Sequence, residues 1–320
     1  ILSRGLGDVY KRQGVYYEPG SLKAEFCKEG AAATYAFCAE HDLPCARTGK
    51  LLVATRDSEL ERMQSLFRRC MDNGLEPELL TASQLRAREP AIQGCGAILI
   101  RASGITDYTA ICQQMLRLFK QAGGNVEWST PVTGLIETVT EITVQAGNRT
   151  YAGEQLVVCG GLMADRLAAM QGLDVPFRVI PFRGEYFRLG PGLDNLTRHL
   201  IYPIPDPALP FLGVHLTRMI DGSISVGPNA VQGWKREGYE AINFNARDTF
   251  DTLSWPGFWK LAGSHLGYGL RELRNSVFKR GYLKAVRKYC PQIGLSDLLP
   301  HPAGVRAQVV LKDGTMVHDF

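Results

Sequence analysis

Apolar positions recur at helical spacing between Leu22 and about Glu40, with Leu22, Phe26, Ala33 and Phe37 on one face and Ser21 placed as an N-cap. Leu51 to Ala54 reads as a short strand. Ser58 and Glu61 have capping-box spacing for a helix that Asn73-Gly74 ends, and Thr81 and Gln84 have it for one that Pro90 stops. Ala97 to Ile100 predicts a strand. Asp107 caps a helix carrying Ile111, Met115 and Leu118, which closes at Gly123-Gly124. Strands are predicted around Val126–Trp128, Val132–Glu137 and Ile142–Gln145. Leu156 to Cys159 is wholly apolar and reads as a strand, followed by Gly160-Gly161 and a short helix near Met163–Met170. Strand, tight glycine turn and helix is the order that brings backbone close to a ligand in α/β folds.

After about Val175 strand-like runs dominate: Arg183–Leu189, His199–Ile204, Phe211–Met219 and Ser223–Gly227. Asp221-Gly222 predicts a type I′ hairpin between the last two. Pro203, Pro205, Pro207 and Pro210 mark an extended connector. A mostly helical stretch follows from about Asp248 to Tyr289, and a second hairpin pairs Val305–Leu311 with Thr315–Phe320. The fold class expected is α/β (α+β): α/β material first, then a mainly antiparallel sheet with helices.

The chain has 320 residues, and with domains of about 100–200 residues two are expected. Its hydrophobic share of 45% and charged share of 21% are those of a globular protein. No apolar run approaches the roughly 20 residues that span a bilayer, so no transmembrane segment is expected. The formal charge of +4 is too mild to suggest nucleic acid. None of the eight cysteines stands in a C-x-x-C pair, so neither zinc nor dithiol redox chemistry is indicated, and no metal site is expected. Their apolar surroundings suit free thiols in a reducing compartment. Gly5-Leu6-Gly7 does not continue into G-x-G-x-x-G, because position 10 is Tyr10. The stretch 1–13 has the look of a foreign segment.

Candidate chemistry rests on polar residues that the core pattern does not need. Alternation along Phe211–Met219 groups His215 with Gly213 and Thr217, a poor core face that suits a ligand lining. His215 is either a proton acceptor there or a hydrogen-bonded structural histidine. Arg306 and Gln308 lie opposite the apolar face of Val305, Ala307 and Val309. Arg306 either grips a carboxylate bidentately or belongs to a solvated strand face. Arg183 could bind an anion, but pairing with Glu185 on the same face is the simpler reading. Tyr16, Tyr17 and Lys23 flank a helix entrance, where they line an anion site or only pack. Trp255, Phe258 and Trp259 form either a membrane-facing surface or a buried cluster. These residues alone do not name a reaction.

Longer strings do. GVYYEPGSLKA over 14–24, GGLMADR over 160–166, PFRGEY over 181–186, IYPIPDP over 201–207 and FLGVHLTRMIDGS over 211–223 resemble L-2-hydroxyglutarate oxidases/dehydrogenases. So do GPNA over 227–230, KREGY over 235–239 and PAGVRAQ over 302–308. The similarity is collinear from about Gly14 to the last residue and is nearest the bacterial branch. That family belongs to the D-amino-acid-oxidase-like flavoproteins.

The resemblance implies an FAD enzyme that oxidises the C2 hydroxyl of L-2-hydroxyglutarate to 2-oxoglutarate by hydride transfer to the flavin. Electrons then pass to oxygen or a membrane quinone. It makes the substrate a small dicarboxylate, anchored by Arg306 and Arg183. His215 becomes a base or carboxylate donor, Tyr202 a hydroxyl contact, and Tyr17 and Lys23 further substrate contacts. Val132 and the turn Cys159-Gly160-Gly161 are the implied cofactor contacts. Alternatives are a glycerol-3-phosphate or amino-acid oxidase of the same superfamily, or a non-catalytic remnant. The expected division is a partial Rossmann-like FAD-binding domain over 14–45 and 105–174, a substrate domain over 46–104 and 175–303, and the start of a C-terminal return over 304–320. The family's strand-G-x-G-x-x-G-helix unit is not among these residues, so weak FAD binding and an inactive chain are expected. The setting implied is cytoplasmic or peripheral on the inner face of the cell membrane.

Overall fold

The computed structural model describes residues 15–206, 213–229, 231–240, 243–264 and 279–317. Helix α1 (Leu22–Glu40) starts where Ser21 accepts a hydrogen bond from the Ala24 amide. Its predicted apolar face is not its buried one: Ala24 and Cys38 are buried, whereas Leu22 and Phe26 are 43% and 53% exposed. The cap and the alanine-rich run suffice to hold the helix. Strand β1 (Cys45–Ala46) is followed by β2 (Lys50–Ala54) and α2 (Leu60–Asp72). The expected Ser58–Glu61 box does not form. A short 3-10 turn over Asp57–Glu59 comes first, and the Glu59 carboxylate accepts from the Thr55 amide and hydroxyl instead.

Strand β3 (Pro77–Thr81) leads into α3 (Ala82–Arg88), which carries the full Thr81–Gln84 box. Next come β4 (Gly96–Ile100), β5 (Ile105–Thr106) and α4 (Tyr108–Gln121), the last capped by Asp107. Strands β6 (Val132–Glu137), β7 (Ile142–Ala146) and β8 (Arg149–Gly153) form a small antiparallel sheet. Neither Val126–Trp128 nor Leu156–Cys159 is a strand. A wholly apolar strand needs neighbours on both edges and cover on both faces. Among the described residues no strand pairs with Leu156–Cys159, and Val157 is 83% exposed. The chain then forms α5 (Ala164–Met170).

Among the described residues the main sheet has nine strands. It gathers β9 (Phe177–Leu189), β10 (Leu200–Pro203), β11 (His215–Arg218), β12 (Ile224–Gly227), β13 (Val231–Gln232) and β14 (Leu298–Leu311) with the earlier β2, β3 and β4. Strand β14 runs along one edge of β9, and β13 and β12 share its other edge. From β12 the order continues β11, β10, β2, β4, β3. Among the described residues its pairs are antiparallel except β10 with β2. The turn joining β11 to β12 is not type I′. The Gly222 amide donates to Met219 and the Met219 amide to Ser223, making a three-residue loop with Gly222 at φ +82°. Only one residue then needs a left-handed conformation, and glycine supplies it.

Helices α6 (Ala246–Leu253), α7 (Pro256–Ser264) and α8 (Lys279–Val286) occupy the predicted helical stretch. Residues 265–278, the connector residues 207–212 and the hairpin residues 318–320 lie outside the described residues. One sheet face carries Leu51, Val53, Ile201, Leu216 and Val226 under Tyr282, Leu283 and Val286 of α8. The other carries Leu52, Ala54, Leu200 and Tyr202, packed with Met63 and Leu66 of α2. Strands β2 and β4 are buried along their whole length, which is why Leu51–Ala54 and Ala97–Ile100 read as unbroken apolar runs. Trp255 is buried and donates from Nε1 to the Val310 carbonyl, and Phe258 packs beside it. Trp259 remains exposed.

Candidate functional site

Side chains directly opposite each other in neighbouring strands emerge on one face. Ile201 pairs with Leu216, so Tyr202 falls opposite His215. Their rings stack, with centroids 4.0 Å apart and planes 14° from parallel. Both residues are buried. His215 Nδ1 lies 3.0 Å from the Gly213 carbonyl oxygen, which can only accept. In the neutral ring the proton therefore sits on Nδ1 and the lone pair on Nε2, the tautomer a general base needs.

Sequence reasoning missed Lys50. It begins β2, pairs with Leu200 and is fully buried. Its Nζ lies 4.9 Å from the Tyr202 ring centroid and 5.8 Å from that of Tyr16. Such an aromatic enclosure stabilises an ammonium that has left water. Lys50, Tyr202 and His215 thus share one face of three adjacent strands. A charged residue opening a strand reads as a solvated end, so only the β10–β2 pairing reveals its place.

The two arginines do not share a face. Arg306 pairs with Phe182 and Arg183 with Val305, one position out of step on the same two strands. Following the register through β9, β12 and β11 puts Arg306 on the His215 face and Arg183 on the opposite one. Arg183 is buried and ion-paired with Glu185, as the simpler sequence reading had it. The Glu185 carboxylate also accepts from Asn229 Nδ2, and the Asn229 side-chain oxygen accepts from the Glu185 amide. Arg183 is therefore part of a polar cluster with Glu185 and Asn229, although its buried Nε has no hydrogen-bond partner among the described residues.

Tyr17 is half-buried, and its carbonyl accepts from Asn73 Nδ2. Lys23 is half-buried in the first turn of α1. Val132 is half-buried at the start of β6, and Cys159 is exposed. Gly161 has φ +51° and open space where a Cβ would stand. All eight cysteines are free thiols.

A second polar group, not apparent from local pattern, centres on residues of the strings GGLMADR and KREGY. Arg236 is buried and donates to both carboxylate oxygens of Asp165 and to the Leu162 carbonyl. Asp165 also accepts from the Val179 and Arg166 amides. Burial alone would raise the Asp165 carboxyl, but the Arg236 guanidinium and those amides hold it below the usual range. Asp248 accepts from the Arg236 amide and from Arg166, and Arg166 also bonds Asp251. This cluster ties the helix after Gly160-Gly161 to β9 and α6.

The sequence profile described as FAD dependent oxidoreductase matches residues 8–320. The chain is 51% identical to L-2-hydroxyglutarate dehydrogenase of Escherichia coli K12 over 310 residues, covering 96% of this chain and 73% of that protein. It is 37% identical to the mitochondrial L-2-hydroxyglutarate dehydrogenase of Homo sapiens, covering 96% and 69%. Among solved structures, the FAD-bound L-alpha-glycerophosphate oxidase of Mycoplasma pneumoniae superposes with a TM-score of 0.71 at 19% identity, over 94% of this chain and 72% of that one. Glycine oxidase of Geobacillus kaustophilus gives 0.70 at 15% identity, over 98% and 74%. At those identities the two structures speak for the fold alone. With a profile spanning nearly every residue and relatives this similar, the chain belongs to the FAD dependent oxidoreductase family.

Proposed function

We propose that the protein oxidises L-2-hydroxyglutarate to 2-oxoglutarate. The observation that carries this reading is the 51% identity to an L-2-hydroxyglutarate dehydrogenase over 96% of the chain. The face bearing His215, Tyr202, Lys50 and Arg306 supports it. FAD, when bound, supplies the acceptor for the C2 hydride. Open space beside Gly161 fits close approach of a phosphate to the backbone there. Val132 and the Cys159-Gly160-Gly161 turn are the residues proposed to hold the cofactor.

His215 Nε2 takes the hydroxyl proton, and Tyr202 fixes the imidazole by stacking against it. Arg306 holds one carboxylate. Three strand spacings and about four residues of rise separate Arg306 from His215, or about 20 Å between backbones. The long arginine side chain and a five-carbon dicarboxylate suit that gap. Lys50 brings a cation to the other side of Tyr202. Arg183 supports the sheet through Glu185 and makes no substrate contact. Tyr17 and Lys23 stand at the entrance to α1, where they would meet a ligand only at its rim. Electrons leave to oxygen or a membrane quinone.

The test is anaerobic mixing of the FAD-supplemented protein with L-2-hydroxyglutarate, its D enantiomer, glycerol 3-phosphate and glycine. Bleaching of bound flavin by the L-hydroxy acid alone, with 2-oxoglutarate formed, is expected. Bound flavin that stays oxidised with it, or that prefers another substrate, overturns the reading. Reoxidation by oxygen against a soluble quinone then identifies the acceptor.

A further inference from the structure

Two thiols from different elements meet beside one hydroxyl. Cys38 lies in the last turn of α1 and Cys45 opens β1, too far apart in the chain for any short motif to announce them. Cys45 pairs directly with Thr106 of β5, which puts both side chains on one face of that ladder. Cys38 is buried against the same threonine, its Sγ 3.4 Å from Thr106 Oγ1. The Thr106 hydroxyl donates 2.8 Å to the Pro44 carbonyl, so in the other contact the Cys38 thiol is the donor. The Cys38 sulfur is left to accept, and the Cys45 thiol hydrogen-bonds with it. Both cysteines line an open groove of about 560 Å³ with Tyr35 and Arg47. The Arg47 guanidinium lies over the Tyr35 ring, 4.4 Å from its centroid. Cys38 is only 2% exposed and Cys45 is half-buried, so a reagent in the groove meets Cys45 first.

We propose that Cys38 and Cys45 form a dithiol site that exchanges with a low-molecular-weight disulfide and closes into a reversible Cys38–Cys45 bond. The Cys45 thiolate attacks one sulfur of the incoming disulfide. A mixed disulfide forms on Cys45, and one small thiol leaves with the proton that Cys45 gave up. The Cys38 thiolate then attacks the Cys45 sulfur, and the second small thiol leaves with the proton of Cys38. The two protein thiols lose two electrons and the small disulfide gains them, so no other reactant is needed. The surroundings favour closure. Burial and the neighbouring Cys38 push the Cys45 thiol up to about 11, against the pull of Thr106 and Arg47. An ordinary thiol, at about 8.5, is the better leaving group from the mixed disulfide, so attack expels it and not Cys45. The inference is independent of the reaction proposed above.

The test is incubation of the native protein with glutathione disulfide at mildly alkaline pH, then acid quench, unfolding, alkylation and trypsin. Cleavage after Lys28 and Arg47 releases a peptide holding Cys38 and Cys45 and no other cysteine. It should return unalkylated and two hydrogens lighter than its reduced form, with Cys70 and Cys290 alkylated, and dithiothreitol should reverse the change. Cys38→Ser should stall with one glutathione on Cys45, and Cys45→Ser should gain none on Cys38. Thermal melts establish that both variants fold. In glutathione redox buffers the folded protein should close the pair at a disulfide-to-thiol ratio at least about tenfold lower than the chain in urea. Wild-type peptide with both thiols alkylated, or with glutathione retained, overturns the proposal. So does linkage of either cysteine to Cys27. Closure no more favourable than in urea overturns it as well, because loose chain would then serve as well as the fold.

Discussion

Tyr202 and His215 come from strands joined across a connector, yet their rings lie flat on each other at 4.0 Å on the face that also holds Lys50. The stack fixes the imidazole plane, and the Gly213 carbonyl fixes its proton. His215→Asn should leave the melting temperature near wild type and lower kcat by about 10²–10⁴, the usual worth of a general base. Stopped-flow flavin reduction checks it. A variant reducing flavin at the wild-type rate would remove His215 from the proton-transfer role.

Arg306 and Arg183 should separate cleanly on mutation. Arg306→Ala is expected to cost about 2–5 kcal/mol of substrate interaction, seen as a raised KM with the fold intact. Arg183→Ala should instead lower stability, because it strands the Glu185 carboxylate, and should leave KM nearly unchanged. Steady-state kinetics beside urea titrations distinguish the two patterns.

The Asp165–Arg236 pair predicts a stability effect with a definite pH dependence. Asp165→Asn removes the bidentate counter-charge of a buried guanidinium, leaving it only the Asp251 carboxylate at 3.9 Å, and should destabilise by about 3–5 kcal/mol at neutral pH. The Asp165 carboxyl is depressed in the folded state, so its contribution is present above about pH 4 and lost as pH falls through the folded value. The gap between wild type and variant should therefore narrow in acid. Denaturant titrations at neutral pH and below pH 4 measure it.

Thiol reactivity should follow burial. Burial pushes the Cys70 thiol up to about 11 and the Cys290 thiol up to about 12. Cys112 and Cys159 are exposed. Brief alkylation of the native protein should label Cys112 and Cys159 and spare Cys38, Cys70 and Cys290, as read by peptide mass spectrometry.

Helices with side-chain caps were legible in the sequence, because Ser21, Thr81 and Asp107 act on backbone within their own turn. Leu156–Cys159 was misread because a strand is made by its neighbours, and composition does not show whether they are there. Within the site, His215 and Tyr202 could be singled out from local pattern and resemblance. Lys50 could not, since the pairing that brings it under Tyr202 joins positions 50 and 200. Arg183 and Arg306 looked alike as strand cations. A single step of register between β9 and β14 sends them to opposite sides, and register is settled by the whole sheet.

The parallel junction between β10 and β2, single among the described strand pairs of the main sheet, also dictates the order in which the molecule can assemble. The hairpin-like unit of β2, β4 and β3 leaves the ribosome a hundred residues before the strand that seals its edge. Until then Leu51, Leu52 and Val53 offer a greasy, unsatisfied rim to any passing chain. Nascent protein stalled before residue 200 should be the form most in need of a chaperone.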